Sequence, residues 1–533
     1  MERLQIGDSA GWHFENGAWV DTDGGGIGIP QEIRRQSGDS LQGHHYAFHL
    51  GADYGDFRAR LRFSLTPHSD AGLIFHAVAP DDFFVLHFPE CGQADRAQHF
   101  WAAVSRMSGE GWLRIVRMEL VRRVSSTTVA SHEADIQLAG NRLFVRIDGR
   151  GVFDVTDPSF VGYGRVGLFL FNNASIVDAS VGGAKKSARV WPADKSPRTT
   201  WFHPVNGMEP GTWQRPGQIV RAGDDLLLSF TTQKPAYSGT TAEFVTRSTD
   251  NGRTWSPPER VTTHEAEAWD GWGYLHRWPD GVLRMLISAE TGARMAEGGP
   301  DGKLWRAPKP IPMPAAPSGL KRVYPAPLLN LSDGSVLAFG YGGHDSTIPG
   351  SSIFTWGSCH CQAFAARTTD NGATWSNWVN IDGTRDSTGK TVDGSLDLTE
   401  ICGAEVAPGR IVALIRPVYS PWMWETWSED GGRSWTPCVR GPFPGYATSN
   451  MLRTTSGVLL VAHRLPGCTI HASHDDGVSW DNGTQIDSAI WVMGSMIEVE
   501  PDRVLYAYWD SFESSMRAQF IRVTPRGIFP DAR

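Results

Sequence analysis

At 533 residues, with 40% hydrophobic residues, 59 Gly and 22 Trp, the chain exceeds what one core ordinarily supports and is too apolar and turn-rich to be disordered, so two or more β-rich domains are expected. A net charge of -9 argues against general binding to nucleic acid or to an anionic membrane, and six Cys in this length are too sparse for a disulfide framework. No apolar run reaches the about 18 residues of a membrane span, and the opening MERLQIGDSAGWHF lacks the basic-then-apolar order of a signal peptide, so a cytoplasmic or a processed exported protein is expected.

The first predicted strands alternate apolar and polar residues: FRARLRFSLTP (57–67), AGLIFHAVAP (71–80), DFFVLHFPE (82–90), WLRIVRMELVRR (112–123), NRLFVRIDGRGVFDV (141–155) and RVGLFLFNNASIVDASV (165–181). Period-two alternation between turn signals marks half-buried strands of an all-β domain. Their order resembles a laminin-G or concanavalin-like jelly roll, which implies a β-sandwich that is a sugar-binding module or a structural brace. The stretch GGAKKSARVWPADKSPRTTWF (182–202) is polar and carries two Pro, placing a domain boundary near 185–200. The expected domains are residues 1–190 and 191–533.

Beyond it one eight-residue template recurs four times: STDNGRTW (248–255), TTDNGATW (368–375), SEDGGRSW (428–435) and SHDDGVSW (473–480). In each, Asp can accept hydrogen bonds from its own turn, Gly supplies a positive φ, and Trp can be buried to anchor the hairpin. These Asp residues therefore belong to the fold rather than to the chemistry. Asp250, Asp370, Asp430 and Asp475 lie 120, 60 and 45 residues apart, the first gap being long enough for two units. The stretch DGKLWRAPKP (301–310) keeps a turn and a Trp there and reads as a degenerate unit.

Six apolar hairpins accompany the boxes, in order GQIVRAGDDLLLSF, GYLHRWPDGVLRMLIS, YPAPLLNLSDGSVLAFGY, ICGAEVAPGRIVALIRP, NMLRTTSGVLLVAHR and GSMIEVEPDRVLYAYWD. Repetition of that period predicts a six-bladed β-propeller built of four-stranded sheets, over about residues 201–524. In a propeller the innermost strands converge, so polar residues at their ends can meet one ligand. Charged candidates there include Arg215, Asp270, Arg322, Asp345, Glu400, Arg416 and Arg464, with Trp213, Trp272, Tyr324 and Tyr446 as aromatic neighbours. The CHC stretch at 359–361, with His344 before it, lacks the paired spacing of a zinc site, so neither metal nor cofactor is expected.

Four such boxes on six hairpins resemble the sialidase (neuraminidase) superfamily of glycoside hydrolases, over about residues 201–533. The resemblance implies three arginines for a substrate carboxylate, an Asp acid/base, and a Tyr nucleophile polarised by a Glu. WQRPG (213–217) nominates Arg215; Glu400 opening the fourth hairpin and Arg416 closing it 16 residues later nominate that pair; AHRLPG nominates Arg464 as the third arginine. Two positions depart from the pattern. Where the acid/base Asp is implied the chain reads TTQKPAYSG, offering Thr232, Gln233 and Lys234; where the Tyr is implied it reads WVMGSMIEV, with Met493, Gly494 and Ser495.

Glycoside cleavage needs a proton donor at the leaving oxygen and a nucleophile or base opposite. Glu400 with Asp270, which is bracketed by Trp269 and Trp272, is the first replacement pair; Asp345 beside His344 is the alternative acid. The expected activity is that of a glycoside hydrolase with a divergent catalytic pair, exo-acting on an acidic sugar or oligosaccharide. A polysaccharide lyase on the same scaffold, using His344 and Tyr324, and a non-catalytic carbohydrate-binding propeller are the other readings. A carbohydrate is the expected partner, and the sequence does not fix an oligomeric state.

Overall fold

The repeated box folds the same way at each of its four sites. In the first, the Ser248 hydroxyl donates to Asp250 Oδ1 and accepts the Gly252 N–H at 2.8 Å, while Asp250 takes the N–H of Thr254 at 2.8 Å and its hydroxyl at 2.6 Å. The same bonds recur around Asp370, Asp430 and Asp475. The residue between Asp and Gly is left-handed each time, with φ of 57° at Asn251, 56° at Asn371, 70° at Gly431 and 58° at Asp476. Asn, Gly and Asp are the residues that tolerate this region, which accounts for the composition of a position that the template leaves open.

The structure is a computed structural model that describes the chain apart from residues 7–8, 16–18, 22–26, 29–42, 67, 91–98, 123–130, 193–194, 209–211, 235–239, 266–272, 290–291, 316–323, 344–360, 382–397, 418–421, 446–449, 489–493 and 511–514. Compactness divides it into two units, the first comprising Met1–Thr199 with Leu465–Thr469 and Asn482–Ile490, the second the remainder.

The second unit is a six-bladed β-propeller. Five of its blades are antiparallel sheets of four strands. Blade 1 runs Trp213–Ala222, Asp225–Lys234, Thr240–Ser248 and Glu259–Glu265; blade 2 runs Gly273–Arg277, Leu283–Ala289, Gly292–Gly299 and Lys309–Pro310. Blade 3 has Tyr324–Asn330, Val336–Gly343, Cys361–Thr368 and Val379–Asn380; blade 4 has Leu398–Ala407, Arg410–Pro417, Trp422–Ser428 and Val439–Pro444. Blade 5 contributes Asn450–Arg453, Leu459–His463 and Cys468–Ser473, and blade 6 Gly494–Glu500, Arg503–Asp510, Ser515–Thr524 and Gly527–Asp531. The first strand of each blade touches the first strand of the next, and that of blade 6 returns to that of blade 1, so the ring closes.

Box glycines also join neighbouring blades. A Cβ on Gly252 of blade 1 would stand 2.4 Å from Leu505 of blade 6, and one on Gly432 of blade 4 would stand 2.7 Å from Leu337 of blade 3. The first and third boxes are thus wedges whose glycine admits a leucine from the blade before, while Gly372 meets Trp278 and Met295 of blade 2 and Gly477 meets Val412 of blade 4. The degenerate turn of blade 2 keeps this contact through Gly302, which meets Leu227 of blade 1, and keeps the closing backbone bond from Arg306 N to the Glu297 carbonyl. Gly298 and Pro300 stand where the other boxes carry Ser or Thr and Asp, so this turn lacks those side-chain bonds while the blade keeps its four strands.

The first unit is a β-sandwich. One sheet orders Arg150–Thr156, Arg142–Ile147, Ser131–Ala139, Asp53–Ser64, Ser175–Lys186, Ile27–Gly28 and Val20–Asp21, with Glu2–Arg3 also on Ser175–Lys186. The other orders Trp12–Glu15, His45–His49, Arg165–Phe171, Asp70–Ala79, Asp82–His87, His99–Ser108, Leu113–Arg122 and Thr484–Asp487. Alternation sets the faces: Phe57, Ala59, Leu61 and Phe63 are buried, while Arg58, Arg60 and Arg62 between them are exposed. Phe63 stacks at 4.3 Å on Phe88, which directly follows Asp82–His87 of the other sheet, within one apolar core to which both sheets contribute.

Candidate functional site

Each blade is an antiparallel meander, so the start of its first strand lies beside the end of its second. One mouth of the ring therefore collects the beginnings of six inner strands. Three side chains nominated from sequence are described there. Arg215 near the start of blade 1 is 3% exposed, Glu400 is half-buried at the start of blade 4, and Arg416 is 2% exposed at the end of the next strand. Glu400 and Arg416, 16 positions apart, lie where the hairpin pairing shifts between Leu398↔Pro417 and Ile401↔Ile415, and there Arg416 Nη1 donates to Glu400 Oε1 at 3.0 Å.

Arg464 is buried directly after the second strand of blade 5. Trp213 and Tyr324 lie in the first strands of blades 1 and 3. Asp270, Trp272, Arg322, His344, Asp345 and Tyr446 fall outside the described residues, as do Cys359 and His360 of the CHC stretch. Among the described residues there is no group of three or more His, Cys, Asp or Glu that could hold a metal ion, and no helix long and apolar enough to cross a membrane.

Two residues that the sequence did not single out join this mouth. Tyr274 stands one position into the first strand of blade 2 and is half-buried. Burial raises its phenol above the usual tyrosine value; the positive charge of Arg215 opposes the rise and the negative charge of Glu400 adds to it. Tyr274 therefore lies within electrostatic reach of groups from blades 1 and 4.

Glu243, on the third strand of blade 1, is fully buried. Register places Arg215, Thr231 and Glu243 in one cross-strand row, so their side chains share a face of the sheet. The Thr231 hydroxyl donates to Glu243 Oε2 at 2.7 Å, and the main-chain N–H of Gly273 donates to the same carboxyl group. Desolvation pushes the Glu243 acid up to about 8, against the pull of Thr231, Gly273 and the Arg215 charge. In the sequence Glu243 is an ordinary polar residue of TTAEFVTRS; only the register of two strand pairs reveals its place.

The two departures from the sialidase pattern have physical occupants. Thr232 is buried, and its hydroxyl bonds the Ala242 carbonyl at 3.4 Å. At the start of blade 6, a Cβ on Gly494 would come within 2.5 Å of the Ala507 carbonyl and 2.6 Å of the Tyr506 ring, so no side chain fits there. Ser495 instead ties three inner strands together. Its hydroxyl donates to Gln218 Oε1 at 2.9 Å and accepts the Ile219 N–H at 3.1 Å, and Asn450 of blade 5 reaches Gln218 Oε1 at 3.4 Å. Asn450 in turn accepts the Met496 N–H at 3.0 Å.

No protein-family model and no curated protein matches the sequence. Among solved structures, the chain is similar to the NanB sialidase from Streptococcus pneumoniae at 10% identity and a TM-score of 0.45, over 95% of this chain and 98% of that one. It is similar to the Hadza microbial sialidase Hz136 at 14% identity and a TM-score of 0.47, over 88% and 93%. The alpha-L-arabinanase of Penicillium chrysogenum is similar at 13% identity and a TM-score of 0.42, over 61% of this chain and 99% of that one. The propeller described above rests on its own strand order and on the closed ring of inner strands.

Proposed function

We propose that the protein is a carbohydrate-active enzyme, a glycoside hydrolase that takes an acidic sugar at the mouth of the propeller. The observation that carries this reading is the ion pair of buried Arg416 with half-buried Glu400, with Tyr274 of another blade inside the field of Glu400 and Arg215. A guanidinium recognises a carboxylate through paired N–H donors, and Arg215, Arg416 and Arg464 are the arginines assigned to a uronic or sialic acid-type group. Glu400 is assigned to draw the proton from Tyr274, whose oxygen then attacks the anomeric carbon. This replaces a sixth-blade tyrosine with one from the second blade. Asp270, His344 and Asp345 supply the candidates for the acid at the leaving oxygen, and the sandwich is assigned as an accessory domain.

Incubating the protein with oligosaccharides ending in sialic acid, uronic acid, rhamnose, arabinose or fucose, read by mass spectrometry, tests this. A monosaccharide released with added water establishes hydrolysis and names the sugar, and Glu400→Gln then loses turnover while retaining binding. A product lighter by one water indicates elimination and a lyase. Binding without any product makes the propeller a carbohydrate-binding protein and overturns the hydrolase reading.

A further inference from the structure

The junction of blades 1 and 2 is built around Glu243. A Cβ on Gly273 would stand 2.6 Å from Glu243 Oε2, and one on Gly217 would stand 2.1 Å from Ser229 Oγ and 2.8 Å from the Gly273 carbonyl. Both inner strands therefore approach each other through glycines, with the Glu243 carboxyl seated against the main chain of Gly273. Arg215 is two residues before one glycine and Tyr274 is one residue after the other. Glu243 also shares its cross-strand row with Arg215, Thr231 standing between them. The group that should bind an anion and the group that fixes its neighbour thus meet at one buried acid.

We propose that Glu243 is a proton-linked positioning residue of this site: as the neutral acid it leaves the Arg215 guanidinium to an anionic sugar, and as the carboxylate it competes with that sugar for the same charge. This rests on the reading of Arg215 as an anion-binding residue. The groups packed around Glu243 agree with it. Thr231 from the second strand and Gly273 from blade 2 each donate one hydrogen bond, and Arg215 from the inner strand is the charge that acts on it. Tyr274, the adjacent titratable group, is held as the neutral phenol by burial. Glu243 Oε1 is buried with no hydrogen-bond partner among the described residues, a position that a carboxylate tolerates badly and a neutral acid tolerates better.

The sign is fixed by the acid's protonation. The sugar-competent form carries the proton, and ionisation occurs near pH 8, so affinity for an anion is retained below that point and lost as pH rises through it. Titration of the intact protein with N-acetylneuraminic acid and with galacturonic acid between about pH 6 and 9.5 should show affinity about tenfold weaker at pH 9 than at pH 7, which is the limit for loss of one proton. Glu243→Gln cannot ionise, and its profile should be flat. Thr231→Val removes a bond that favours the carboxylate and should move the midpoint upward. An infrared difference spectrum of wild type against Glu243→Gln should contain a protonated-carboxyl carbonyl band at pH 6 that is gone at pH 9.5.

If Glu243→Gln follows the wild-type pH profile, or the band is absent at pH 6, the proposal is wrong while the anion site stands. If neither acid binds the wild type at any pH and a neutral arabino-oligosaccharide does, the anion-site reading fails, and the role of Glu243 fails with it.

Discussion

Arg416 and Glu400 show what a hairpin can disclose from spacing alone. Sixteen positions apart on two paired strands, they sit where the pairing shifts between Leu398↔Pro417 and Ile401↔Ile415, and the bond from Arg416 Nη1 to Glu400 Oε1 shows that their side chains meet. Tyr274 and Glu243 were not legible in the same way, because their roles depend on contacts between blades and on a row crossing two strand pairs. The irregularity between Pro216 and Ile219 shifts the pairing of blade 1, so the alignment of Arg215 with Thr231 cannot be counted out from the turn. At this scale the planar fork of Arg416 is the informative feature. A lysine keeps the charge but offers one compact ammonium, so Arg416→Lys should lower kcat/KM on the identified substrate by about 10- to 100-fold while leaving the melting temperature close to wild type. A loss confined to stability, with kcat/KM intact, would make the arginine a counter-ion for Glu400 and no more. Tyr274→Phe should remove turnover and spare binding, as read by initial rates and by titration of the same sugar.

The blade is the element at which the sequence was most readable, and the reason is local. Turn, cap and anchor of each box lie within eight residues, so the hydrogen bonds that fold it are encoded side by side. What the template could not convey is that its glycine serves the neighbouring blade as well as its own turn. Gly252 adopts a φ of 89° and receives Leu505 across the seam where blade 6 meets blade 1. Gly252→Ala should therefore be more damaging than a surface turn substitution: strain at positive φ and displacement of a leucine together predict a loss of at least about 1 kcal/mol in urea unfolding. The same change at Gly334, also at positive φ but with no heavy atom within 4 Å of its Cβ position, isolates the backbone component. Equal losses at the two glycines would mean that the seam contact with Leu505 contributes nothing.

Across the whole molecule, histidines that the fold desolvates should dominate the response to acid. His44 of the sandwich is held down at about 3 by desolvation and by its neighbours His87 and His45, and His276 of blade 2 at about 4 by desolvation against its bond with Asn330. Burial keeps His463 of blade 5 well below its usual range, in a stack where Phe443 and His471 lie 3.8 Å apart. A histidine whose folded value is depressed favours unfolding once the unfolded chain can take up the proton. Stability is therefore present above about pH 6.5 and is lost as pH falls below it, by on the order of 1–2 kcal/mol at pH 5 for each of His44 and His276. Glu243 acts in the opposite direction: its folded value is raised, so its cost grows as pH rises from about 4.5 to about 8 and is relieved in acid. Urea midpoints at pH 7.5, 6 and 5 should fall with pH in the wild type and fall further in Glu243→Gln, where the opposing relief is gone. Midpoints that hold steady to pH 5 in both proteins would show that the three rings take up protons without unfolding.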